Sequence, residues 1–401
     1  MSRSMLDLLV CHEVWEHFYK YKQSLVLPQS TLRPLRRYID SRMYAGVYKS
    51  ILEGNFPLPE RSLVSKLGSE KKRVVYTYPE PFNTSLKLLT YLIIREYDGI
   101  FMPNLYSFRS GRTAKDAVRY ISRSGRGKYA YKADISSYFN SVDVPMLLPM
   151  LKEVIGEDER LYSFLSSLLT EKYVLERGVP LAEQKGIMAG TPLSAFYADL
   201  FLGGLDRYFY EERAVYARYS DDIIVFADSM EELMRHKAYI QEFLGRMGLA
   251  LNTEKERVFT PEEGWEFLGF CCHDGMTDIS PVSLKKLKQK MRRKTRALKR
   301  WSDRNGISGE NAARAFIRIF SRKLFGSPYA NDLCWSLWYF PMINTDKSLK
   351  QTDRYAQDCV RYLISGKRTK SRYNVRYSDM KKLGLPSLVN EYHRYKKQIN
   401  V

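Results

Sequence analysis

Hydrophobic and polar positions along the chain change between a helical and a strand-like spacing, and each change predicts an element. Residues 1 to about 65 have a polar sequence with helical spacing, interrupted by prolines. The segment VVYTY, which follows a basic turn, has the spacing of a strand. An apolar helix is predicted at 85–97, and an amphipathic helix follows the glycine-containing loop of Arg109 and Arg112. The later predicted elements are a strand at 128–135, helices to about 169, a strand at 173–176, helices at 195–209 and 231–247, and a strand at 265–272.

The stretch ARYSDDIIVFAD (217–228) predicts a β-hairpin with acids at its tip, because strand-like flanks enclose a Ser-Asp-Asp of turn composition. Adjacent like charges such as Asp221 and Asp222 repel. They are tolerated beside an apolar run where they face water or where a cation lies between them. Asp134 ends the strand at 128–135, so three carboxylates converge if the two strands are antiparallel neighbours. Hard oxygen ligands of this kind select Mg²⁺, and two such ions suit phosphoryl transfer.

Charge adds a second indication. Sixty-five Lys and Arg against 45 Asp and Glu give a formal net charge of +20, which predicts a polyanionic partner, most commonly nucleic acid. The segment 284–300, LKKLKQKMRRKTRALKR, predicts a helix with one apolar face and no acids. Its residues predicted to contact nucleic-acid phosphates are Lys288, Arg292, Arg293 and Arg296. Alternating aromatic and basic residues near the C-terminus predict a second nucleic-acid surface, with an ordinary basic helix as the alternative for the final segment.

Other classes of protein are disfavoured. No apolar run approaches the length of a membrane span, and the N-terminus lacks the apolar core of a signal peptide. Five cysteines are too few and too unevenly placed for a disulfide framework. The sequence therefore predicts a cytoplasmic protein with no membrane partner.

Seven motifs, in order and spacing, resemble those of reverse transcriptases in the group II intron and retron branch. ARYSDDIIVFAD resembles polymerase motif C, YKADISSYFNSVD resembles motif A, and KGIMAGTPLSAFYADLFL resembles motif B. GLALNTEKERV and GWEFLGF resemble motifs D and E, while KKRVVYTYPEP and LYSFRSGRTAKDAV resemble the fingers motifs. The resemblance covers about 67–270.

The resemblance implies roles for single residues. Asp134, Asp221 and Asp222 would be catalytic: the first two would hold two Mg²⁺ ions, with Mn²⁺ as a substitute, and Asp222 would be a weaker or indirect ligand. The backbone carbonyl of Ile135 is a further implied metal ligand. The residues implied to bind the nucleotide are Lys72 or Arg73 within a register slip, Arg109, Phe139, Gly190 and Lys255, and Arg112 is implied to contact nucleic acid.

Two of these roles have plain alternatives. Phe139 would exclude a ribose 2′-hydroxyl and so favour deoxynucleotides, and its alternative is a core aromatic beside a strand. Lys255 would protonate the pyrophosphate, and its alternative is a solvated loop lysine.

The chain also departs from the family pattern. Met188-Ala189-Gly190 stands where motif B has Pro-Gln-Gly, which removes a polar group near the nascent base pair. Asn83 stands where a second basic residue is expected, and Ser220 replaces a more usual Ala, Met or Val. The segment at 311–314 lacks the histidine of the retron thumb element, and no zinc or HNH cluster is present. The chain is thus most similar to compact, divergent bacterial enzymes of the abortive-infection or defence-associated kind, which act with a dedicated noncoding RNA.

The implied fold is α+β: a right-hand polymerase with fingers, an antiparallel palm sheet with helices, and a helical thumb. The expected parts are an N-terminal helical extension at 1–66, fingers at 67–130, palm at 131–278, basic thumb at 279–345 and a basic aromatic region at 346–401.

The expected function is RNA-directed DNA polymerisation by two-metal nucleotidyl transfer on a noncoding RNA template in antiphage defence. It would use dNTPs and yield DNA, and a homo-oligomer or accessory protein is left open. The alternatives are template-independent or protein-primed DNA synthesis, a group II intron-type or retron-type enzyme, an RNA-directed RNA polymerase, and a catalytically silent RNA-binding scaffold.

Overall fold

The computed structural model describes residues 4–25, 27–65, 72–326 and 334–399, and the chain divides into two units, Met1–Pro261 and Glu262–Val401. Residues 68–71 of the predicted basic turn at 68–73, and the predicted boundary between 66 and 67, lie outside the described residues, whereas Lys72 and Arg73 lie in a strand and not in that turn. The division into five parts stays a prediction.

Helices form most of the first unit. They are α1 His12–Ser24, α2 Gln29–Asp40, α3 Met43–Leu52, α4 Phe82–Glu96, α5 Ala114–Ser124, α6 Tyr138–Ser141, α7 Val144–Ile155, α8 Glu159–Thr170, α9 Ser194–Phe201, α10 Gly203–Glu211 and α11 Met230–Arg246. Short 3₁₀ helices cover Met5–Val10 and Asp98–Ile100. The helices predicted at 85–97 and 231–247 are confirmed. Before residue 65 the last helix ends at Leu52, and the helical prediction is wrong for Glu60–Ser65, which is a strand.

A four-stranded antiparallel sheet holds the centre of this unit. Its order is β6–β7–β3–β8, with β6 at Val215–Tyr219, β7 at Asp222–Ala227, β3 at Tyr129–Asp134 and β8 at Arg257–Phe259. The apolar run of β7 is buried, which explains why β7 lies inside the sheet between β6 and β3. The predicted hairpin is therefore confirmed, and so is the expectation that the strand ending on Asp134 is its neighbour.

A second four-stranded sheet contains two strands that were not predicted from the sequence, Glu60–Ser65 and Val179–Ala182. Its order is β2–β1–β4–β5, with β2 at Lys72–Thr77, β1 at Glu60–Ser65, β4 at Tyr173–Glu176 and β5 at Val179–Ala182. The pair β1–β4 is parallel and the others are antiparallel. The strand β5 is exposed along its whole length, so no inward-facing residues marked it in the sequence.

Two predicted elements are each divided in the structure. The helix expected at 195–209 is α9 followed by α10, with a break at Leu202 just before the adjacent glycines 203 and 204, which weaken a helix. The strand expected at 265–272 is two strands, β9 at Trp265–Phe267 and β10 at Phe270–His273. Leu268 and Gly269 form the turn with φ of 48° and 86°, so the chain reverses and the two halves pair antiparallel.

The second unit has a small sheet and a group of helices. The sheet order is β11–β10–β9, with β11 at Met276–Ile279. The helices are α12 Pro281–Arg304, α13 Gly309–Phe325, α14 Trp335–Tyr339, α15 Lys347–Ser365, α16 Tyr377–Lys382 and α17 Leu388–Ile399, with a 3₁₀ helix at Lys370–Asn374. The predicted basic helix is α12, and its apolar stripe of Leu284, Leu287, Met291 and Leu298 is buried.

Candidate active site

Three carboxylates meet at one edge of the central sheet. Asp134 is the last residue of β3, and it lies directly opposite Asp222, the first residue of β7, in the antiparallel register. Asp221 occupies the turn immediately before β7. Because side chains alternate between the two faces of a strand, a register shift of one residue would send these acids to different faces. Pairing of β3 with β7 therefore assembles the cluster from distant parts of the sequence.

The hairpin turn between β6 and β7 has only two residues. Tyr219 pairs with Asp222, so Ser220 and Asp221 alone connect the strands. A two-residue hairpin needs a left-handed residue at its first position, and Ser220 supplies it with φ of 59°. The Ile135 amide donates to the Asp221 carbonyl over 3.2 Å, which ties the turn to the chain leaving β3.

Burial and, to a smaller extent, like-charge repulsion raise the pKa values of two of these acids. Burial raises the pKa of Asp222 to about 6, and the neighbouring charge of Asp221 adds to the effect. Burial also raises the pKa of Asp221, with a further contribution from Asp134. The ammonium of Lys255 lies 2.5 Å from Asp134 Oδ1, so one cation from the chain compensates part of the cluster.

The acids do not form a finished metal cage. Among the described residues, no three or more His, Cys, Asp or Glu side chains are arranged to hold an ion by themselves. Mg²⁺ is commonly bound by one or two carboxylates together with waters and substrate phosphates, and it prefers hard oxygen ligands. The carboxylates at this edge fit such an ion in chemistry, provided that other oxygens complete its coordination.

A buried ionic cluster lies under the hairpin. The side chain of Arg218 is fully buried and donates to Asp206 Oδ1 and Oδ2 over 2.8 and 2.5 Å. It also donates to the backbone carbonyls of Ser220 at 3.2 Å and Asp199 at 3.1 Å. Tyr216 contributes a further bond to Asp206, over 3.0 Å. The guanidinium therefore fixes Ser220, the turn residue that immediately precedes Asp221 and Asp222.

The same cluster connects the hairpin to the loop before α5. The Arg218 amide donates to the Asn104 carbonyl over 3.1 Å, and the Tyr106 amide donates to the Arg218 carbonyl over 3.0 Å. The Ser107 hydroxyl donates to Asp199 Oδ1 over 2.8 Å. Burial raises the pKa of Asp199 even though Arg218 lies beside it. Loop, strand and helix α9 are thus joined around one guanidinium.

Sequence reasoning missed the roles of Arg218, Asp199 and Asp206. The available signal was an arginine within an apolar strand, which requires a buried acid as partner. Two acids seven residues apart, in the helical segment just before the hairpin, were the candidates for that partner.

The strand β2 begins with two cations. Both Lys72 and Arg73 are exposed at the start of the strand. The charge of Arg73 lowers the pKa of Asp221 against the effect of burial, so this cation acts on the acidic turn. Arg73 is therefore well placed for a triphosphate bound at this edge.

Phe139 and Gly190 lie on segments that contact each other through the backbone. The Phe139 ring is half-buried, edge-on to Phe108 at 6.4 Å between centroids, and the Phe139 carbonyl accepts from the Ile187 amide over 2.9 Å. Gly190 has φ of 103°, and a Cβ there would approach the Tyr76 carbonyl to 3.0 Å. The Tyr76 amide donates to the Ala189 carbonyl over 2.8 Å, so the motif B loop is attached to β2.

The two arginines of the loop before α5 have different surroundings. Arg109 donates to Asp98 and to the carbonyls of Phe101 and Met102, and only 6% of its side chain is exposed. Those bonds favour a structural role for Arg109 over the predicted nucleotide contact. Arg112 is half-buried, lies over the Tyr106 ring at 5.7 Å and donates to the Pro103 carbonyl.

The basic residues of α12 belong to the second unit. Arg292, Arg293 and Arg296 are exposed, while the Lys288 ammonium donates to Gln351 over 3.2 Å. Their predicted contact with nucleic acid stays a prediction. In the described part of the chain, no helix has both the length and the apolar character that crossing a membrane requires.

Comparison with known proteins gives a family for the chain. Residues 65–272 match the model of the family described as reverse transcriptase (RNA-dependent DNA polymerase). Protein YkfC of Escherichia coli (strain K12) is 21% identical, with 41% of this chain and 53% of that protein covered. The chain thus spans about half the length of the curated relative it matches.

Solved structures of telomerase also resemble the chain. Apo telomerase from Candida tropicalis, truncated from its C-terminal domain, has a TM-score of 0.45 at 14% identity, over 55% of each chain. Telomerase from Candida albicans in complex with a TWJ fragment of telomeric RNA has a TM-score of 0.43 at 12% identity, over 83% of this chain and 67% of that one.

The family model covers more than half of the 401 residues, and its span contains the whole central sheet with the three aspartates. The predicted α+β fold class is confirmed. The chain therefore belongs to the reverse transcriptase (RNA-dependent DNA polymerase) family.

Proposed function

We propose that the chain is an RNA-directed DNA polymerase that extends a DNA 3′ end by two-metal nucleotidyl transfer. The observation that supports this most directly is the register of β3 and β7, which places Asp134 opposite Asp222 beside the turn residue Asp221. Family membership supports the reaction class.

Asp134 and Asp221 would hold two Mg²⁺ ions, with the Ile135 carbonyl as an additional ligand and Asp222 as a weaker one. Ions bound there would activate the 3′-hydroxyl and stabilise the attacking and leaving oxygens. The bond from the 3′-oxygen to the α-phosphorus would form while the bond from that phosphorus to the pyrophosphate oxygen breaks, and the proton of the 3′-hydroxyl would pass to water. Arg73 would attract the triphosphate to this edge, because its charge already acts on Asp221.

Lys255 would act in two successive steps. Its ammonium is hydrogen-bonded to the Asp134 carboxylate in the structure, and a metal ion bound to that carboxylate would displace the ammonium. The released ammonium would then donate its proton to the departing pyrophosphate. Phe139, whose ring is held by Phe108 and by the backbone bond to Ile187, would exclude the 2′-hydroxyl of a ribonucleotide.

The test is dNTP incorporation on a primed RNA with Mg²⁺. Asp134→Asn is expected to remove incorporation, because a neutral amide is a poor ligand for a hard cation. Glu153→Gln, which alters an exposed acid on α7, is the matched control and is expected to keep wild-type activity. Incorporation by Asp134→Asn at the wild-type rate would disprove the metal assignment.

The sugar preference has its own measurement. Phe139→Ala is expected to bring the use of rNTPs closer to that of dNTPs, since it removes the ring beside the sugar. Phe108→Ala, which removes the neighbouring ring, is the control for loss of packing. An unchanged ratio of dNTP to rNTP use in Phe139→Ala would contradict the gate and favour a core role for this ring.

A second candidate function is DNA synthesis without a template. The observation that favours it is Ala189, whose methyl group replaces the amide expected near the nascent base pair and whose backbone carbonyl is bound to Tyr76. Incubation with single dNTPs and no template decides between the two, since only the template-independent enzyme would then make a product.

The biological setting remains part of the proposal. A dedicated noncoding RNA template and antiphage defence derive from the resemblance to defence-associated enzymes, whereas the cytoplasmic location is an expectation from the sequence itself. Sequencing the RNA and DNA that co-purify with the protein from its host tests this step. One abundant structured RNA would support it, and random cellular RNA would contradict it.

A further inference from the structure

A cavity of about 650 Å³ lies at the outer edge of β6, away from the aspartates. The loop before α5, the helix α5 and the C-terminal end of α10 line it, and it reaches Ala214 at the start of β6. The acidic turn follows the other end of this strand. Five residues of strand separate the two ends, which is about 17 Å.

Three tyrosines give the cavity aromatic walls. The rings of Tyr106 and Tyr120 lie 6.3 Å apart between centroids and are inclined by 29°. Tyr210, at the end of α10, has 51% of its surface exposed. Tyr106 is buried and Tyr120 is half-buried, so the exposed ring of Tyr210 is the one that offers a face against which a planar base stacks.

Two arginines supply positive charge to the same cavity. Arg112 lies over the Tyr106 ring, and Arg213 follows α10 with φ of 53°, a conformation that usually favours glycine. Within the described ranges, neither guanidinium is paired with a carboxylate. Glu211 also borders the cavity, so the two arginines are only partly balanced. Guanidinium groups bind phosphate through parallel hydrogen bonds, which an unpaired arginine can still offer.

We propose that this cavity binds a nucleotide, with the base against the exposed ring of Tyr210 and the phosphate on Arg112 and Arg213. Its volume lies in the range of small-molecule sites. The nucleotide is either free or part of a single-stranded nucleic acid, since both present the same base and phosphate. This inference goes beyond the proposed polymerase activity and does not depend on the aspartates.

Binding of AMP and of a single-stranded hexamer of deoxyadenosine, measured by calorimetry on the full chain in EDTA, tests the proposal. The chelator removes the ions that a nucleotide would need at the aspartates. Arg112→Gln combined with Arg213→Gln is expected to weaken binding about tenfold or more. Arg207→Gln, on the exposed face of the same α10, is the matched control and is expected to bind like the wild type.

Further variants separate stacking from charge. Tyr210→Ala is expected to weaken binding about tenfold, whereas Tyr210→Phe keeps the ring and is expected to retain it. Glu211→Gln is expected to strengthen binding because it removes a negative charge beside the phosphate. Equal binding by Tyr210→Ala and the wild type would contradict the stacking arrangement.

The two sources of nucleotide give different results. Binding of AMP alone identifies a free nucleotide, and binding that requires the hexamer identifies a strand. If neither probe binds, or if the double arginine variant binds as the wild type does, the proposal is wrong. Asp134→Asn is expected to keep this binding while losing DNA extension, so failure of one proposal is distinguishable from failure of the other.

Discussion

Two acidic clusters lie on either side of the β6–β7 turn, and they are compensated in opposite ways. Under the turn, Asp199 and Asp206 share the fully buried Arg218. At the sheet edge, Asp134 has Lys255, while Asp221 and Asp222 have raised pKa values. In the lower cluster, formed by Asp199, Asp206 and Arg218, folding of the chain brings the cation to the acids. The upper cluster, formed by Asp134, Asp221 and Asp222, is left with excess negative charge, which a ligand from outside the chain must balance.

The difference has a physical cause in solvent access. A charge that water cannot reach must find its partner within the chain, because an unpaired buried charge costs several kcal/mol. Asp221 and Asp222 are partly exposed and can keep their repulsion at smaller cost, because water screens them, whereas the buried Asp134 has Lys255 as its partner. The fold can therefore hold the upper acids ready for a cation only because the lower cluster fixes the turn on which they sit.

The largest expected effect separates activity from stability at the upper cluster. Asp221→Asn combined with Asp222→Asn is expected to lower DNA extension by about a thousandfold or more, because metal stabilisation of the transition state contributes several kcal/mol. The same change is expected to raise the free energy of unfolding in EDTA, by about 1–3 kcal/mol, because it removes like-charge repulsion. Primer extension and urea denaturation measure the two. A loss of stability would contradict the excess negative charge.

The next largest effect is expected at the lower cluster, where a substitution lowers the free energy of unfolding instead of raising it. Arg218→Met is expected to lower the free energy of unfolding by about 3–5 kcal/mol, because it leaves two buried acids without a cation. Adding Asp199→Leu and Asp206→Leu is expected to restore most of that stability, since it removes the stranded charges. Arg207→Met, on the exposed face of α10, is the control and is expected to change stability by less than about 0.5 kcal/mol.

Activity of the restored triple variant sharpens this test. Because Arg218 also holds the Ser220 carbonyl, the variant is expected to be stable but slower in DNA extension, with the loss in kcat. Wild-type kcat in a stable triple variant would show that the guanidinium only balances charge and does not position the turn.

A smaller effect is expected in the pH dependence of the free energy of unfolding, to which Asp222 of the upper cluster contributes. Asp222 has a folded-state pKa of about 6, above its usual value, so the folded protein binds more protons than the unfolded chain between about pH 4 and 6. In EDTA, stability is therefore expected to fall as pH rises through that window and to level off above it. Comparison of wild type with Asp222→Asn isolates this contribution. Equal slopes in the two proteins would contradict the raised pKa.

The smallest expected effect concerns Lys255, the cation that is hydrogen-bonded to Asp134. Lys255→Met is expected to lower stability in EDTA by about 1 kcal/mol or less, because 41% of the lysine side chain is exposed and water screens the pair. With Mg²⁺ at saturation the difference is expected to disappear, since the ion replaces the ammonium at Asp134. Urea denaturation with and without Mg²⁺ measures this, and an effect that persists with Mg²⁺ would contradict displacement.

The upper cluster was predictable from the sequence and the lower one was not. Asp134, Asp221 and Asp222 are recognisable because they are acidic residues at strand ends and in a turn, next to runs of apolar residues. Arg218 was overlooked because its partners come from α9 and α10, and only tertiary packing brings them under the strand. The strand β5 was missed for a related reason, since it has no buried face to impose a pattern. Arg109 matched a motif, yet its surroundings favour a structural bond to Asp98.

The central position of β3 also has a consequence for synthesis of the chain. Both of its partners, β7 and β8, lie later in the sequence, so β3 leaves the ribosome with two open edges. At typical translation rates the roughly ninety residues to β7 take about 5–20 s. During that interval an apolar strand is available for wrong pairing or for a chaperone, and the acids at its end are still far from one another. We therefore expect newly made protein to pass through an aggregation-sensitive stage that ends when the β6–β7 hairpin has been synthesised.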